Sequence, residues 1–464
     1  MGNRTVIRGG TVLSMDRDVG DLPRGDVLIE NGVIAAVEPI ISADAEVIDA
    51  DGYIVIPGFV DTHRHTWQAA IRGCAADSTL DDYYVEVLDT YAPVYEPDDV
   101  YVSNLAGALE CLNAGITTVV DWSHINNSPE HADAAIRGLQ EAGIRARYAY
   151  GGAHMSLSDH LVESRVAIPA DDARRVRETY FPGNDGLLTM GLAVRGPGFC
   201  SDEVVRAEWR LARELDLPIT THVAMGRLAG RWAMVKRLAE LDLLGPDITY
   251  VHCCYFSDEE WQLVADTGGT VSVAPQVEVQ MGHGRPSIMK AMSYGLRPGL
   301  ATDVMATGPG DLFTQIRAAF GAERQRVLAE AWQVNTDPPA DLLTTRDVLE
   351  IATIYGAQVA GLGSQIGSLT PGKQADIVLL DARAINMAPV ADPVAAVTLS
   401  ADISNVDTVL VAGEVRKRHG QLLADTEIVR RQLETAHDRL AKRAQERMFA
   451  PTDPDPDPLE EMTS

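Results

Sequence analysis

From position 57 to about 360 the chain alternates short apolar runs with longer stretches of helical spacing, and it does so eight times. The runs fall at 54 to 61, 117 to 121, 145 to 150, 188 to 194, 218 to 222, 247 to 251, 270 to 274 and 299 to 303. A strand apolar along its whole length must be covered on both faces, and a helix between successive strands favours parallel pairing. Eight such units predict an α/β fold, the (β/α)8 or TIM barrel.

The flanks of this region have a different texture. Before position 57 come short strands and turns, among them two alternating runs joined by Asn31-Gly32, a hairpin signal. After the barrel, Gly367 to Leu380 returns to turn-plus-strand chemistry, and Val406 to Val411 followed by Gly413-Glu414 makes another hairpin. These late strands are expected to join the early ones in one small flanking β-sandwich built from both chain ends. The predicted division is therefore 1–56, first part of the sandwich; 57–364, barrel; 365–425, second part of the sandwich; and 426–464, a helix and an acidic tail. Within the last segment Ile428, Leu433, Ala436 and Leu440 are expected on one helix face, and the Asp-Pro repeats of Thr452 to Pro458 predict disorder.

Charge and cysteine usage narrow the partners. With 39 Lys plus Arg against 67 Asp plus Glu, the formal charge is -28, which repels phosphate backbones and anionic membranes. Nucleic acid and membrane partners are not expected. Five scattered cysteines without a C-x-x-C pair argue against a disulfide framework. No apolar signal core opens the chain and no apolar run reaches membrane-spanning length, so a cytoplasmic protein is expected.

Barrel chemistry sits at the carboxyl ends of the strands. Those positions hold His63 and His65 on the first strand, His222 on the fifth, His252 on the sixth and Asp303 on the eighth, so four of eleven histidines fall there. His63 and His65 are alternate residues of an extended chain and face one point. Neutral imidazoles with a carboxylate suit Zn2+ or Fe2+ and leave a place for a water whose pKa the ion lowers to about 7.

The motifs Pro57-Gly58-Phe59-Val60-Asp61-Thr62-His63-Arg64-His65, Thr221-His222-Val223-Ala224, Val251-His252-Cys253, Ala301-Thr302-Asp303 and Pro371-Gly372-Lys373-Gln374-Ala375-Asp376 resemble the amidohydrolase superfamily. The branch with triazine hydrolases and cytosine, guanine and S-adenosylhomocysteine deaminases is the most similar, over nearly the whole chain. The resemblance implies one divalent metal, Zn2+ or Fe2+, held by His63, His65, His222 and Asp303. It also implies catalytic roles for His252, as an acid/base that orients the water, and for Asp303, as acceptor of the water's proton. Relatives often pair, so a homodimer is an expectation too.

One position departs from that pattern. Deaminases of this branch carry a proton-donating glutamate three residues after the strand 5 histidine, where this chain has Met225. Methionine moves no protons. Glu278 and His283, after the seventh strand, are candidate replacements at the substrate, with His124, Trp67 and Met225 itself as further substrate contacts; His131 reads as structural. The expected function is metal-dependent hydrolysis of a C–N bond, not a peptide bond, in a small cyclic nitrogenous compound. Ring opening of a cyclic amide or amidine, or a metal-dependent lyase or isomerase on the same scaffold, remains the alternative. A binding protein that kept the fold without catalysis is the non-enzymatic one.

Overall fold

The computed structural model describes residues 4–153, 164–227, 229 and 233–448. The expected disordered stretch, 452–458, lies outside them.

The amino-terminal residues form β1 (Arg4–Val12), β2 (Leu22–Glu30), β3 (Val33–Glu38), β4 (Glu46–Asp49) and β5 (Tyr53–Pro57). The barrel strands are β6 (Phe59–Arg64), β7 (Ile116–Ser123), β8 (Arg145–Gly151), β9 (Leu188–Val194), β10 (Ile219–Val223), β11 (Ile248–His252), β12 (Thr270–Val273) and β13 (Gly299–Leu300). The chain then adds β14 (Ile377–Asp381), β15 (Val406–Val411), β16 (Glu414–Arg418) and β17 (Gln421–Leu422).

β6 to β13 pair in sequence order, every pair parallel, with helices between them. Closure comes at the mouth. His65 N donates to Asp303 O (2.9 Å), Asp303 N donates to His63 O (3.0 Å), and Arg64 bridges Asp303. The eightfold alternation thus folds as the TIM barrel, and the seam that closes it is made by the residues of the conspicuous motif.

The first strand needs correcting. The run 54 to 61 is not one barrel strand, because the chain changes sheets at Gly58. β5 pairs with β14 and β1 in the sandwich, whereas Phe59 begins the barrel. The switch requires glycine: a Cβ there would lie 2.1 Å from Thr117 Oγ1, and Gly58 N donates to Asp376 O at 2.9 Å. The eighth strand is also shorter than 299 to 303, since Asp303 leaves extended geometry with φ of 62°.

The two chain ends meet in one nine-stranded sheet, in the order β17, β16, β15, β14, β5, β1, β2, β3, with β4 against β1. It encloses its own core of Ile7, Val27, Ile29, Val55, Ile377 and Leu379. Asn31 and Gly32, with φ of 52° and 81°, make the tight turn their sequence predicts. A buried ion pair ties this sandwich to the barrel: Arg145 on β8 donates to both oxygens of Asp376 (2.9 and 3.0 Å), whose Oδ1 also accepts from Ala412 N at 2.7 Å. Removing one partner leaves the other charge buried and unpaired. Asp376→Ala is therefore expected to lower unfolding free energy by about 3–5 kcal/mol, and denaturant unfolding with an unshifted midpoint would refute this.

The helix Thr426–Met448 packs Ala436, Leu440 and Ala444 inward, and Arg439 and Arg443 pair with buried Asp99 on the helix Pro97–Asn113. Ile428 does not share that face. It is 46% exposed, because five residues before Leu433 is well off the contact stripe, and Val429 takes its place. Among the described residues no helix is long and apolar enough to cross a membrane.

Candidate active site

Strand alternation brings His63 and His65 to one side of the barrel mouth, with ring centroids 4.8 Å apart. Arg64 between them points away. It is fully buried and donates to Glu110, Thr302 Oγ1 (3.1 Å) and Gly310 O (3.0 Å), which fixes β6 against the strand 8 end. His222, on β10, places Nε2 at 3.1 Å from His63 Nε2. Asp303 Oδ1 stands 3.3 Å from Nε2 of both His63 and His65. All four ligand atoms lie within 4.8 Å of one another, and all four residues are buried.

Electrostatics suits this set to a cation. Burial pushes the His63 imidazole down to about 4 and His222 well below its usual range, so both are neutral. Burial works against ionisation of Asp303, but the neighbouring His63, His65 and His252 outweigh it and hold the carboxyl well below the usual range. His65 Nδ1 lies 3.2 Å from Trp122 O; a carbonyl only accepts, so the hydrogen is on Nδ1 and Nε2 faces the site with its lone pair. Neutral ring nitrogens 3.1 Å apart, with a carboxylate beside them, could share a divalent metal without repulsion. The residues fit such an ion.

Three of these strand ends adopt left-handed backbone: Ala224 (φ 49°), His252 (76°) and Asp303 (62°). Such conformations cost about 1–3 kcal/mol each and persist where the surroundings enforce them. At His252 and Asp303 the side chains face the pocket.

His252 stands beside the four converging residues, its Nε2 3.7 Å from Asp303 Oδ2. Its Nδ1 lies 3.2 Å from Glu278 Oε1, and that same oxygen accepts from Ala274 N at 2.8 Å. Burial alone would lower the His252 pKa, but the Glu278 and Asp303 carboxylates outweigh it and raise it above the usual histidine value. Glu278 is on a short helix, Pro275–Gln280, and fully buried. It does not line the pocket; it stands behind His252. Trp67 is likewise set back, packed edge-on against His124 and Tyr95 at centroid distances of 5.3 and 5.1 Å. Neither reaches the cavity directly, because each is screened by the histidine in front of it.

His124, Met225 and His283 do line the cavity, together with His65, His222, His252 and Asp303. The non-atom space between these residues, counted out to where it opens to solvent, is about 390 Å³. His124 has no hydrogen-bond partner on either ring nitrogen among the described residues, and burial with the neighbouring His65 drives its pKa well down. His131 is structural: Nε2 donates to Tyr95 O (2.9 Å) and Nδ1 pairs with Ser128 Oγ (2.9 Å).

The remaining wall is apolar or aromatic: Leu80, Tyr83, Tyr84, Leu88, Met281 and Val304. Sequence reasoning missed the 80 to 88 segment. Its signal was the capping box of Thr79 and Asp82 opening a helix soon after strand 1, where barrel loops cover the site.

Comparison with known proteins agrees with this geometry. The amidohydrolase family pattern matches residues 54–416. A 5-methylthioadenosine/S-adenosylhomocysteine deaminase of Symbiobacterium thermophilum is 30% identical over 428 residues, covering 89% of this chain and 93% of its own. A 5′-deoxyadenosine deaminase of Methanothermobacter thermautotrophicus is 30% identical over 415 residues, covering 87% and 92%. Among solved structures, a zinc-bound adenosine deaminase from Xanthomonas campestris superposes with a TM-score of 0.80, covering 94% of this chain and 98% of that one. At 23% identity that last likeness is one of fold.

Proposed function

As this chain belongs to the amidohydrolase family, we propose that it hydrolyses the exocyclic C–N bond of a small, uncharged aminoheterocycle, releasing ammonia. His63, His65, His222 and Asp303 would hold one divalent ion, zinc by preference, since three imidazoles and one carboxylate are a borderline-soft set and the solved relative carries zinc. The observation that carries the reading is the convergence of those four ligand atoms within 4.8 Å beneath a cavity that also presents His252. The bound ion supplies the Lewis acid that lowers the pKa of the attacking water.

The chain's own groups do the rest. Asp303 engages the histidines through Oδ1, which leaves Oδ2 to accept the water's proton. His252 donates Nδ1–H to Glu278, and the two carboxylates beside it favour a second proton on Nε2, opposite Asp303 Oδ2, which it passes to the departing nitrogen. Leu80, Leu88, Met225 and Met281 exclude bulk water and strengthen these interactions. No lysine or arginine lines the pocket among the described residues, which favours a substrate without an anionic group.

Met225 sustains a second reading, opening of a cyclic amide or amidine, whose carbon needs no proton on a ring nitrogen. Metal-loaded protein challenged with 6-aminopurine nucleosides, aminopyrimidines and cyclic amides separates the two. Ammonia with a hydroxylated product supports deamination. A single product that has gained one water supports ring opening, and an intact panel in the presence of bound metal rejects both.

A further inference from the structure

When water adds to an aminoheterocycle, electron density from the ring C=N bond moves onto the ring nitrogen beside the attacked carbon. That density needs a hydrogen-bond donor. Asp303, His65 and His222 are engaged in the cluster of four, and His252 serves the departing amine. His124 leans on His65, on the other flank from His252, with ring centroids 4.5 Å apart.

His283 stands on the working flank. Its ring centroid is 4.7 Å from that of His252, it is 3% exposed, and its Nδ1 has no partner among the described residues. Its backbone is bonded to the segment that carries Met225: Gly226 N donates to His283 O at 2.7 Å. The loop's shape is enforced on both sides, since Gly282 and Gly284 have φ of 76° and 147°, and a Cβ on Gly284 would lie 2.5 Å from Cys254 Cβ. The imidazole is thus held in the pocket next to the position that lacks a proton donor.

We propose that His283 is a catalytic residue that donates its ring N–H to the nitrogen adjacent to the attacked carbon, so that the substrate is a six-membered aminoheterocycle bearing such a nitrogen. The inference rests on the hydrolase reading above. Burial pushes His283 down to about 3, so it acts as a neutral imidazole, and a neutral imidazole is a competent electrophile. The water's oxygen bonds to carbon while the C=N pair moves onto the ring nitrogen, against the His283 N–H, which keeps its hydrogen. The pair then returns as the exocyclic C–N bond breaks. Ammonia leaves with the proton that Asp303 took from water and His252 relayed, and the product is the hydroxyl tautomer.

The test compares 5′-deoxyadenosine with its 1-deaza analogue, in which CH replaces the nitrogen. Binding is measured by calorimetry on the metal-loaded full chain carrying His252→Ala, which turns over too slowly to deplete ligand. The parent nucleoside is expected to bind about 10-fold more tightly than the analogue, as one buried hydrogen bond would give. Adding His283→Ala erases that preference, and His283→Gln, whose amide donates, retains part of it. In the otherwise native enzyme His283→Ala lowers kcat by about 10²-fold at unchanged metal content, and Met225→Glu added to it recovers part of the loss. Equal binding of the two probes before His283 is changed, or a preference that survives His283→Ala, overturns the proposal. If the alanine variant does not fold, a preference lost in His283→Gln overturns it instead. Ammonia release absent from the native enzyme on every aminoheterocycle defeats the deamination reading; a native enzyme that is active with an unaltered preference defeats only the role of His283.

Discussion

Asp303→Ala is expected to lose metal and turnover together. Asp303 Oδ1 touches His63 and His65 while Oδ2 faces His252, so one substitution removes the proposed ligand, the proposed acceptor of the water's proton and the only carboxylate in the cluster of four. A positioned proton acceptor contributes about 10² to 10⁴-fold, and charge stabilisation at the reacting centre adds about 10² to 10³-fold. The combined loss in kcat/KM is expected to be at least about 10⁴-fold. Elemental analysis should show under-loading in the same preparation, because each lost ligand opens the coordination sphere. Full metal occupancy in Asp303→Ala would remove Asp303 from the ligand set, and wild-type turnover would remove it from the mechanism.

His252→Ala is expected to behave differently, keeping its metal while kcat falls by about 10² to 10⁴-fold. The contrast follows from geometry: His252 Nε2 faces Asp303 Oδ2 at 3.7 Å, whereas Nδ1 is taken by Glu278. A metal-free His252→Ala would make it a ligand. Glu278→Gln probes the same pair from behind. With the carboxylate gone, His252 loses the hydrogen bond and charge that raise its pKa, so its folded value falls. Activity that needs protonated His252 is lost as pH rises through that value, and the alkaline limb of the profile should therefore move to lower pH in the variant. The accompanying drop in kcat is expected to be about 10²-fold at unchanged KM. An unmoved alkaline limb would show that Glu278 does not set the protonation of His252.

The position of Glu278 illustrates how far sequence reaches. It was legible as a carboxylate after the seventh strand, one of two candidates to replace the missing glutamate at 225. Its distance from the cavity was not, because the turn of a six-residue helix decides whether residue 278 faces the mouth or the back of His252. Trp67 shows the same limit: being two residues past His65 says nothing of His124 standing in front of it. Tyr83 and Tyr84 show it again: the Thr79 and Asp82 capping box marks a helix near the site but does not say which of its residues face the cavity.

Local chemistry alone determined a good deal here. The eightfold strand and helix alternation specifies a parallel barrel, because apolar strands must be covered on both faces. The Asn31-Gly32 turn follows from backbone sterics that act over two residues. His63 and His65 share a face because strand alternation has a period of two. What tertiary structure decided are matters of distance between segments far apart in the chain: the sheet switch at Gly58 against Thr117, the Arg145 and Asp376 pair that joins sandwich to barrel, Glu278 behind His252, and His283 bonded to the segment of Met225. Each depends on where a side chain or a carbonyl from another strand happens to stand, and no local periodicity encodes that.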